Sequence, residues 1–473
     1  MTVPSFQFLA FAIAAAIVFQ LARGKHLRSA VLLITNILFL ASFSTRPELW
    51  IPFAGFLAFG FAAVRLLQSG RRIPLWVWVV VTLTLFCWIK KYTFIPTSLL
   101  LHTPYVTVGL SYIFFRLMSL IIDAGQGALT ERVGTVDYLN YTLNFTCLTA
   151  GPIQRYDDYR NNHVSLSAPV LGLAAERIFL GLFKVLIVSD ALDGGLKQVI
   201  AAVTGAGDFP TRTLEAALLI SIYPVYLYFN FSGYTDFVIG CARLFGLQLP
   251  ENFNRPFTSV NFLEFWSRWH ISLSGWLKAY VYNPLFSAML RRIESSALEP
   301  FLAVIAFFTT FFLVGAWHGQ TSEFLFFGLL QGGGVSLNKL YQILLTQRMG
   351  RRGYKALAAN PVYAALCRGL TFAWFGLTLF WFWSNWGQLG EFATRLSIGS
   401  FVVGFVLVVA VATIVLQAGI WIERGIMAIR VGDTAVIQSR YTRTVILTAI
   451  AVALFVSGIV LNSPAPEIVY KAF

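Results

Sequence analysis

A succession of long apolar stretches most constrains what this chain can fold into. A helix that crosses a bilayer needs about 20 mostly apolar residues, and the sequence offers roughly eleven to thirteen candidates. They lie near Phe6–Ala22, Ser29–Phe43, Leu49–Val64, Pro74–Ile89, Tyr105–Ile122, Tyr138–Ala150, Gly172–Ser189, Leu214–Phe231, Pro300–Ala316, Glu323–Leu345, Pro361–Trp383, Phe401–Ile420 and Thr444–Leu461. Only 12% of the residues are charged, against about a quarter in soluble domains. The sequence predicts an all-α polytopic membrane protein and excludes both a soluble enzyme and a disordered chain.

Basic loops predict an orientation in the membrane. The net charge is +14, and lysine and arginine collect in cytoplasmic loops. Two basic loops, 23–28 and 65–72, flank a neutral turn at Arg46 and Glu48, so we expect the amino terminus outside the cell. Lys90 and Lys91 break this alternation, and a half-span or re-entrant segment near Tyr92–Leu101 would restore it. Most of the charge therefore indicates topology, and no nucleic-acid partner is expected.

The chain reads as one membrane domain over residues 1–473, without an internal repeat, a long linker or a low-complexity tract. Its four cysteines are far apart in apolar runs and lack a Cys-x-x-Cys pair. They are Cys87, Cys147, Cys241 and Cys367. We therefore expect neither a disulfide framework nor a metal site. Gly-x-Ser-x-Gly and phosphate-loop motifs are also missing from the sequence.

Residues 230–286 differ from the apolar stretches around them. Polar groups are dense there, and groups at this density do not face lipid hydrocarbon. Glycines at 233 and 246 and prolines at 250 and 256 predict that this stretch is not one continuous helix. From Phe262 to Tyr280 the apolar residues recur at three-four spacing, which predicts an amphipathic helix at the membrane boundary. Glu264 and Arg268 are one turn apart and could form an ion pair.

Two of the five histidines have surroundings suited to proton transfer. His318 ends an apolar stretch between Gly315 and Gly319, and His270 lies in Trp266-Ser-Arg-Trp-His-Ile-Ser272. Histidine exchanges protons near neutral pH, and burial favours its neutral, basic form. A tightly packed helix end explains His318 equally well, and packing by the adjacent tryptophans explains His270 somewhat better than chemistry does.

Four sequence blocks resemble those of the membrane-bound O-acyltransferases, closest to the bacterial branch that includes alginate O-acetyltransferase and the D-alanyl transferase of teichoic acids. The blocks are Val108-Gly-Leu-Ser-Tyr112, Leu148-Thr-Ala-Gly-Pro-Ile-Gln-Arg-Tyr156, Asn252-Phe-Asn-Arg-Pro-Phe257 with Glu264-Phe-Trp-Ser-Arg-Trp-His-Ile-Ser-Leu-Ser274, and Gly315-Ala-Trp-His-Gly319. The resemblance runs over residues 104–345, which would form the catalytic core, with carboxy-terminal transmembrane helices over 346–473. Ala279 departs from the family pattern, which often has an aspartate there.

The resemblance implies a fold, a reaction and a set of site residues. The fold would be a ring of membrane helices, with re-entrant and amphipathic helices, around a central funnel or tunnel. His318 would be the catalytic base, assisted by His270. The expected substrate-binding residues are Arg268, Trp269, Asn254, Arg255 and Trp317. Arg268 has an alternative role as the solvated partner of Glu264, and stabilising a turn is an equally good explanation for Asn254 and Arg255.

The expected reaction moves an acyl group, most simply acetyl, from a cytoplasmic donor to a hydroxyl of an exported glycan. The donor would be acetyl-CoA or an acyl carrier thioester, used as a co-substrate, with no bound cofactor. The expected partners are this donor, the extracytoplasmic glycan, membrane lipid and a periplasmic or extracellular protein that completes the transfer. The expected location is the bacterial inner membrane. Two alternatives remain open at this point: D-alanyl transfer to teichoic acid, and export or flipping of a polysaccharide.

Overall fold

The computed structural model describes residues 1–70, 73–203, 206–431 and 434–460. These residues are mostly helical, and the strands among them are Arg430–Val431 and Thr434–Ala435, which pair antiparallel with Arg430 opposite Ala435. By its contacts the chain forms two compact units. Unit 1 contains residues 1–182 and 231–251, and unit 2 contains residues 183–230 and the described residues from 252 onward.

Unit 1 is built from helices around an aromatic core. The helices are α1 (Phe6–Leu21), α2 (Lys25–Ala41), α3 (Ile51–Gln68), α4 (Leu75–Ile89), α5 (Leu110–Gly125), α6 (Thr135–Thr142), α7 (Tyr156–Asn161) and α8 (Ala168–Phe183). Single 3₁₀ turns occur at Pro47–Trp50 and Thr97–Leu99. The fully buried Phe8 meets Phe39 and Phe145 at ring-centroid distances of 5.4 and 5.7 Å. Such contacts between several elements hold the amino-terminal helices together.

Unit 2 contains the remaining helices and carries the candidate site. They are α9 (Asp190–Ala202), α10 (Phe209–Arg243, shared with unit 1), α11 (Phe262–Arg268), α12 (Ile271–Leu277), α13 (Asn283–Arg292), α14 (Glu299–His318), α15 (Ser322–Ala359), α16 (Pro361–Thr378), α17 (Phe380–Trp383), α18 (Trp386–Leu396), α19 (Ile398–Ala428) and α20 (Arg440–Val460). Shorter turns join them: π-helices at Lys184–Ser189 and Lys278–Tyr282, and 3₁₀ turns at Pro256–Thr258 and Val436–Gln438.

Several helices meet the length and apolarity that a membrane crossing requires. In the described residues six qualify: Pro47–Gln68, Phe209–Arg243, Glu299–His318, Pro361–Trp383, Ile398–Ala428 and Arg440–Ser457. Phe6–Leu21 and Leu75–Ile89 are apolar but shorter. The prediction of an all-α polytopic membrane protein is confirmed. The number of passes, the ring, the orientation and the central funnel stay predictions.

The predicted span Tyr138–Ala150 is wrong, because α6 ends at Thr142. The cause is a buried cation, since the Arg116 guanidinium donates to the carbonyl oxygens of Thr142 (3.0 Å) and Cys147 (2.6 Å). These carbonyls bind the guanidinium, and the chain folds around it in turns. The side chain of Asn144 adds a local bond by accepting from the Thr146 amide.

The prediction that residues 230–286 are not one continuous helix is confirmed, but the first break comes after Gly233, because α10 continues to Arg243 and α11 begins at Phe262. The glycines of α10 allow close helix packing instead. A Cβ atom at Gly181 would lie 2.6 Å from the Gly233 carbonyl oxygen, and a Cβ at Gly240 would lie 2.8 Å from that of Ala174. Close backbone approach of this kind is how small residues pack membrane helices together.

Lys90 and Lys91, the two cations outside the predicted charge pattern, lie just beyond α4. Burial lowers the pKa of Lys90 to about 8, and the Lys91 ammonium lies over the Tyr105 ring, 4.9 Å from its centroid. The predicted half-span at Tyr92–Leu101 contains a 3₁₀ turn as its helical part. Whether the stretch re-enters the membrane stays a prediction.

Candidate active site

His270 lies at a break between two short helices. Helix α11 ends at Arg268 and α12 begins at Ile271, and His270 has left-handed backbone angles of φ 46° and ψ 54°. The prediction of one amphipathic helix through this stretch is therefore wrong at Trp269 and His270. Residues other than glycine rarely adopt left-handed backbone angles, so the surrounding structure holds His270 in this conformation.

The break is stabilised by the loop that carries Asn252. The Ile271 amide donates to the Asn252 backbone oxygen (3.0 Å), and the Ser272 amide donates to its side-chain oxygen (3.2 Å). The Asn254 amide donates to the Arg268 oxygen (2.9 Å). Asn252 is fully buried. The loop thus supplies the partners that the first turn of α12 would otherwise lack.

Trp269 belongs to a buried aromatic cluster. Its ring stacks on Phe265 at 5.5 Å, meets Phe253 at 5.0 Å and meets Phe375 at 4.9 Å. With 1% of its surface exposed, Trp269 is placed to hold the position of its neighbour His270. Its predicted contact with substrate stays a prediction.

His318 is the last residue of α14, where that helix crosses α15 at close range. A Cβ at Gly328 would lie 2.5 Å from the Phe312 carbonyl oxygen, and a Cβ at Gly315 would meet the backbone of Gly328. The two backbones therefore touch about one turn before His318. This contact holds the end of α14 against α15.

Aromatic rings surround the His318 imidazole. Its centroid is 4.6 Å from Trp317, 5.0 Å from Phe382 and 6.0 Å from Phe327. His318 is 2% exposed and Trp317 is 9% exposed. These rings exclude water from the imidazole and restrict its orientation.

The structure brings the two predicted histidines into one neighbourhood of unit 2. His270 is 1% exposed, and its charge would act electrostatically on His318. Burial lowers the pKa of His270, because the imidazolium loses its hydration while the neutral ring loses little. A neutral imidazole carries one basic nitrogen and one N–H donor, so it can accept or give a proton.

A buried amide connects the helices around the site. Gln331 on α15 accepts a hydrogen bond from the Trp266 indole N–H (3.2 Å) and donates to the Thr378 hydroxyl (2.8 Å). Gln331 is fully buried. Sequence reasoning missed this residue, although a lone amide within the apolar run Leu329-Leu330-Gln331 was a signal.

Arg268 is engaged by neighbouring side chains. Its guanidinium donates to Glu264 (2.6 Å) and to the Thr258 hydroxyl (2.8 Å), which confirms the predicted ion pair. Arg368 on α16, which the sequence analysis did not single out, donates to the Thr258 carbonyl oxygen (3.1 Å) and acts electrostatically on this pair. A basic group with ordered partners thus adjoins the loop that supports His270.

Asn254 and Arg255 are exposed on that same loop. Arg255 has a left-handed φ of 51° and forms an ion pair with Glu423 of α19. Both residues are therefore accessible to a substrate, although neither is shown to bind one. Among the described residues, no three His, Cys, Asp or Glu side chains come together as a metal site would require.

The family model of the membrane-bound O-acyltransferase family matches residues 76–382, which include every residue of the candidate site. The chain belongs to the membrane-bound O-acyltransferase family. The match extends beyond residues 104–345, over which the four sequence blocks suggested the resemblance.

Several bacterial proteins resemble the chain at about 30% identity. A teichoic acid D-alanyltransferase of Bacillus subtilis is 32% identical over 238 residues, 48% of this chain and 58% of the relative. A probable alginate O-acetylase AlgI of Pseudomonas aeruginosa is 30% identical over 331 residues, which are 65% of this chain and 60% of the relative. A peptidoglycan O-acetyltransferase of Helicobacter pylori is 33% identical over 214 residues, which are 44% of this chain and 38% of the relative. The matched segments span less than two thirds of these relatives.

Proposed function

We propose that this protein is an O-acyltransferase of the bacterial inner membrane that transfers an acetyl group to a hydroxyl of a cell-envelope glycan. The observation that carries the proposal is the pair of buried histidines, His270 and His318, within electrostatic reach of each other. Family membership and the acetylase names of two relatives support the reaction class. The same membership favours acyl transfer over polysaccharide export.

His318 is the proposed general base. It takes the proton of the acceptor hydroxyl as that oxygen attacks the thioester carbonyl carbon. The new C–O bond forms, the C–S bond breaks, and the proton passes to the leaving thiolate, which departs as a thiol. Rings around His318 exclude water that would hydrolyse the thioester instead.

His270 is the proposed second group of the reaction. Its left-handed backbone and the Asn252 hydrogen bonds hold it in one place, so it can orient the hydroxyl, donate to the oxyanion or relay the proton. Arg268, Arg255 and Asn254 are the proposed contacts to phosphate or carboxylate groups of a substrate. Trp269 and Trp317 shape the site around the histidines.

The proposed donor is acetyl-CoA or an acetyl carrier thioester in the cytoplasm, bound as a co-substrate, and the acceptor lies on the outer side. A passage between the two sides through the protein, and a periplasmic partner that completes the transfer, belong to the same proposal. The support is that acyl thioesters are made inside the cell while envelope glycans are exposed outside it.

Transfer of D-alanine to teichoic acid is the second candidate, favoured by the 32% identity to the Bacillus subtilis D-alanyltransferase. The two functions differ in the donor and in the acceptor. The test uses the full-length protein in sealed inverted vesicles that enclose an envelope glycan, a teichoic acid and periplasmic extract, and supplies either labelled acetyl-CoA or a labelled D-alanyl carrier thioester outside. Labelled glycan inside the vesicles from acetyl-CoA alone supports acetyl transfer. Label from the D-alanyl donor alone selects the second candidate, and no label from either donor refutes both.

A further inference from the structure

The basic loop after α1 lines a cavity in unit 1, separate in its residues from the candidate active site. Its volume is about 610 Å³. Three stretches line it, 19–32, 159–166 and 245–247, together with Asp137. Four separate parts of the chain thus meet around one cavity.

The charge of the lining is positive. Its titratable side chains are Lys25, Arg28, Asp137, Tyr159, Arg160 and His163. Arg160 is compensated by acids, since it donates to Glu131 (2.7 Å) and lies close enough to Asp137 to interact with it. In the part of the chain that the structure describes, Lys25 and Arg28 are exposed and form no salt bridge.

Arg28 is held in place by two contacts. Its Nε donates to the Ala22 carbonyl oxygen (3.1 Å), and its guanidinium lies over the Phe19 ring, 5.7 Å from the centroid. The terminal nitrogens of this guanidinium are the groups that bind phosphate in paired hydrogen bonds. An arginine fixed through its Nε is therefore pre-organised for an anion.

The first turn of α2 adds backbone donors to the same cavity. Helix α2 begins at Lys25 after Gly24, whose φ is 85°, and no side chain caps it. Gly24, Lys25, Arg28 and Ser29 all line the cavity. Uncapped amides at a helix start bind anions together with the helix dipole.

His163 is a further basic group of the lining, on a different stretch of the chain from α2. Burial lowers its pKa, and the positive charge of Lys25 lowers it further. Lys25 and His163 are thus near enough to repel each other when both are charged. An anion between them would relieve that repulsion.

The rest of the lining includes the apolar side chains of Phe19, Leu32, Phe245 and Leu247. We propose that this cavity binds a phosphate group, carried by an anionic phospholipid or by a soluble phosphate ester, with Lys25, Arg28 and the first turn of α2 as its donors. This site lies outside the proposed acyl-transfer reaction and does not depend on it. It gives the basic loop a binding role beyond membrane topology.

The test measures binding to the full-length protein in detergent by native mass spectrometry. The probes are phosphatidylglycerol, diacylglycerol, which lacks the phosphate, and glycerol 1-phosphate. Each basic residue is expected to strengthen phosphatidylglycerol binding about fivefold, so the Lys25→Gln/Arg28→Gln variant should bind roughly 25-fold more weakly. Arg23→Gln, a charge change in the same loop outside the lining, should stay within about twofold of the unchanged protein, because salt screens an exposed charge that does not contact the phosphate.

Four outcomes of this experiment distinguish a lipid site, a site for a soluble ester and no phosphate site. Phosphatidylglycerol binding that falls in the double variant, without competition from glycerol 1-phosphate, assigns the site to lipid. Glycerol 1-phosphate binding that falls in the same variant assigns it to a soluble ester. Equal binding by the double variant and Arg23→Gln overturns the proposal, and so does diacylglycerol binding as tight as that of phosphatidylglycerol. If the double variant does not fold, Lys25→Gln is tested alone and should bind phosphatidylglycerol about fivefold more weakly than the unchanged protein.

Discussion

The crossing of α14 and α15 should control the position of His318, and Gly328→Ala tests this. The added Cβ would lie 2.5 Å from the Phe312 carbonyl oxygen and 3.1 Å from the Gly315 Cα. Ordinary contacts between such atoms are about 3.5 Å, so the helices must separate by roughly 1 Å. Overpacking of this size costs about 1–3 kcal/mol of folding free energy.

The same 1 Å displacement should reach the active site, because His318 is three residues beyond Gly315 on α14. A misplacement of about 1 Å lowers a transfer rate roughly 100-fold. We therefore expect Gly328→Ala to lower both the unfolding midpoint in detergent and the rate of labelled acetyl transfer.

Gly333→Ala is the matched control on the same helix. A Cβ at Gly333 meets no atom within 4 Å, and alanine favours helix by up to about 1 kcal/mol. This variant should keep its activity and be at least as stable as the unchanged protein. Equal stability and equal transfer in the Gly328 and Gly333 variants would refute the argument from helix packing.

Three further predictions concern polar groups. Gln331→Leu removes the acceptor of the Trp266 indole and should lower the free energy of unfolding by about 1–3 kcal/mol; an unchanged denaturation midpoint would contradict it. Arg177→Met removes the cation that lies 2.8 Å from Asp236 and should cost about 2–3 kcal/mol in the same assay, with partial recovery in Arg177→Lys. Because burial lowers the pKa of His270 below its unfolded value, the unfolded state binds the proton first. As the pH falls below about 6.5, the free energy of unfolding should therefore decrease by up to about 1.4 kcal/mol per pH unit, and less steeply in His270→Asn. Identical pH profiles of the variant and the unchanged protein would show that His270 does not cause this loss.

Sequence patterns predicted the elements that depend on local hydrophobicity. The stretches Phe6–Ala22, Pro74–Ile89 and Pro300–Ala316 correspond to α1, α4 and α14 within a few residues. Such patterns did not predict α6, because its end depends on Arg116, which is distant in sequence from the carbonyl groups that it binds. Long-range hydrogen bonds leave no periodic signal.

The candidate site likewise combines residues that sequence patterns predicted with features that depend on hydrogen bonds from distant parts of the chain. Motif spacing pointed to His270 and His318, and the structure brings both into one buried neighbourhood. The left-handed backbone of His270 was not predicted, because three-four spacing continues through it and the determining bonds come from Asn252. Gln331 was missed for a similar reason, since a buried amide is recognised by its partners on other helices.

The rate of acetyl transfer by His318→Ala tests the central claim most directly. The measurement compares single turnovers of labelled acetyl-CoA with a glycan acceptor in the unchanged protein, in His318→Ala and in His102→Ala, whose histidine is exposed in a loop. A general base contributes about 10²–10⁴-fold, so the His318 variant should lose at least that factor while His102→Ala keeps its rate. Near-normal turnover by a folded His318→Ala protein would contradict the claim that His318 is the base.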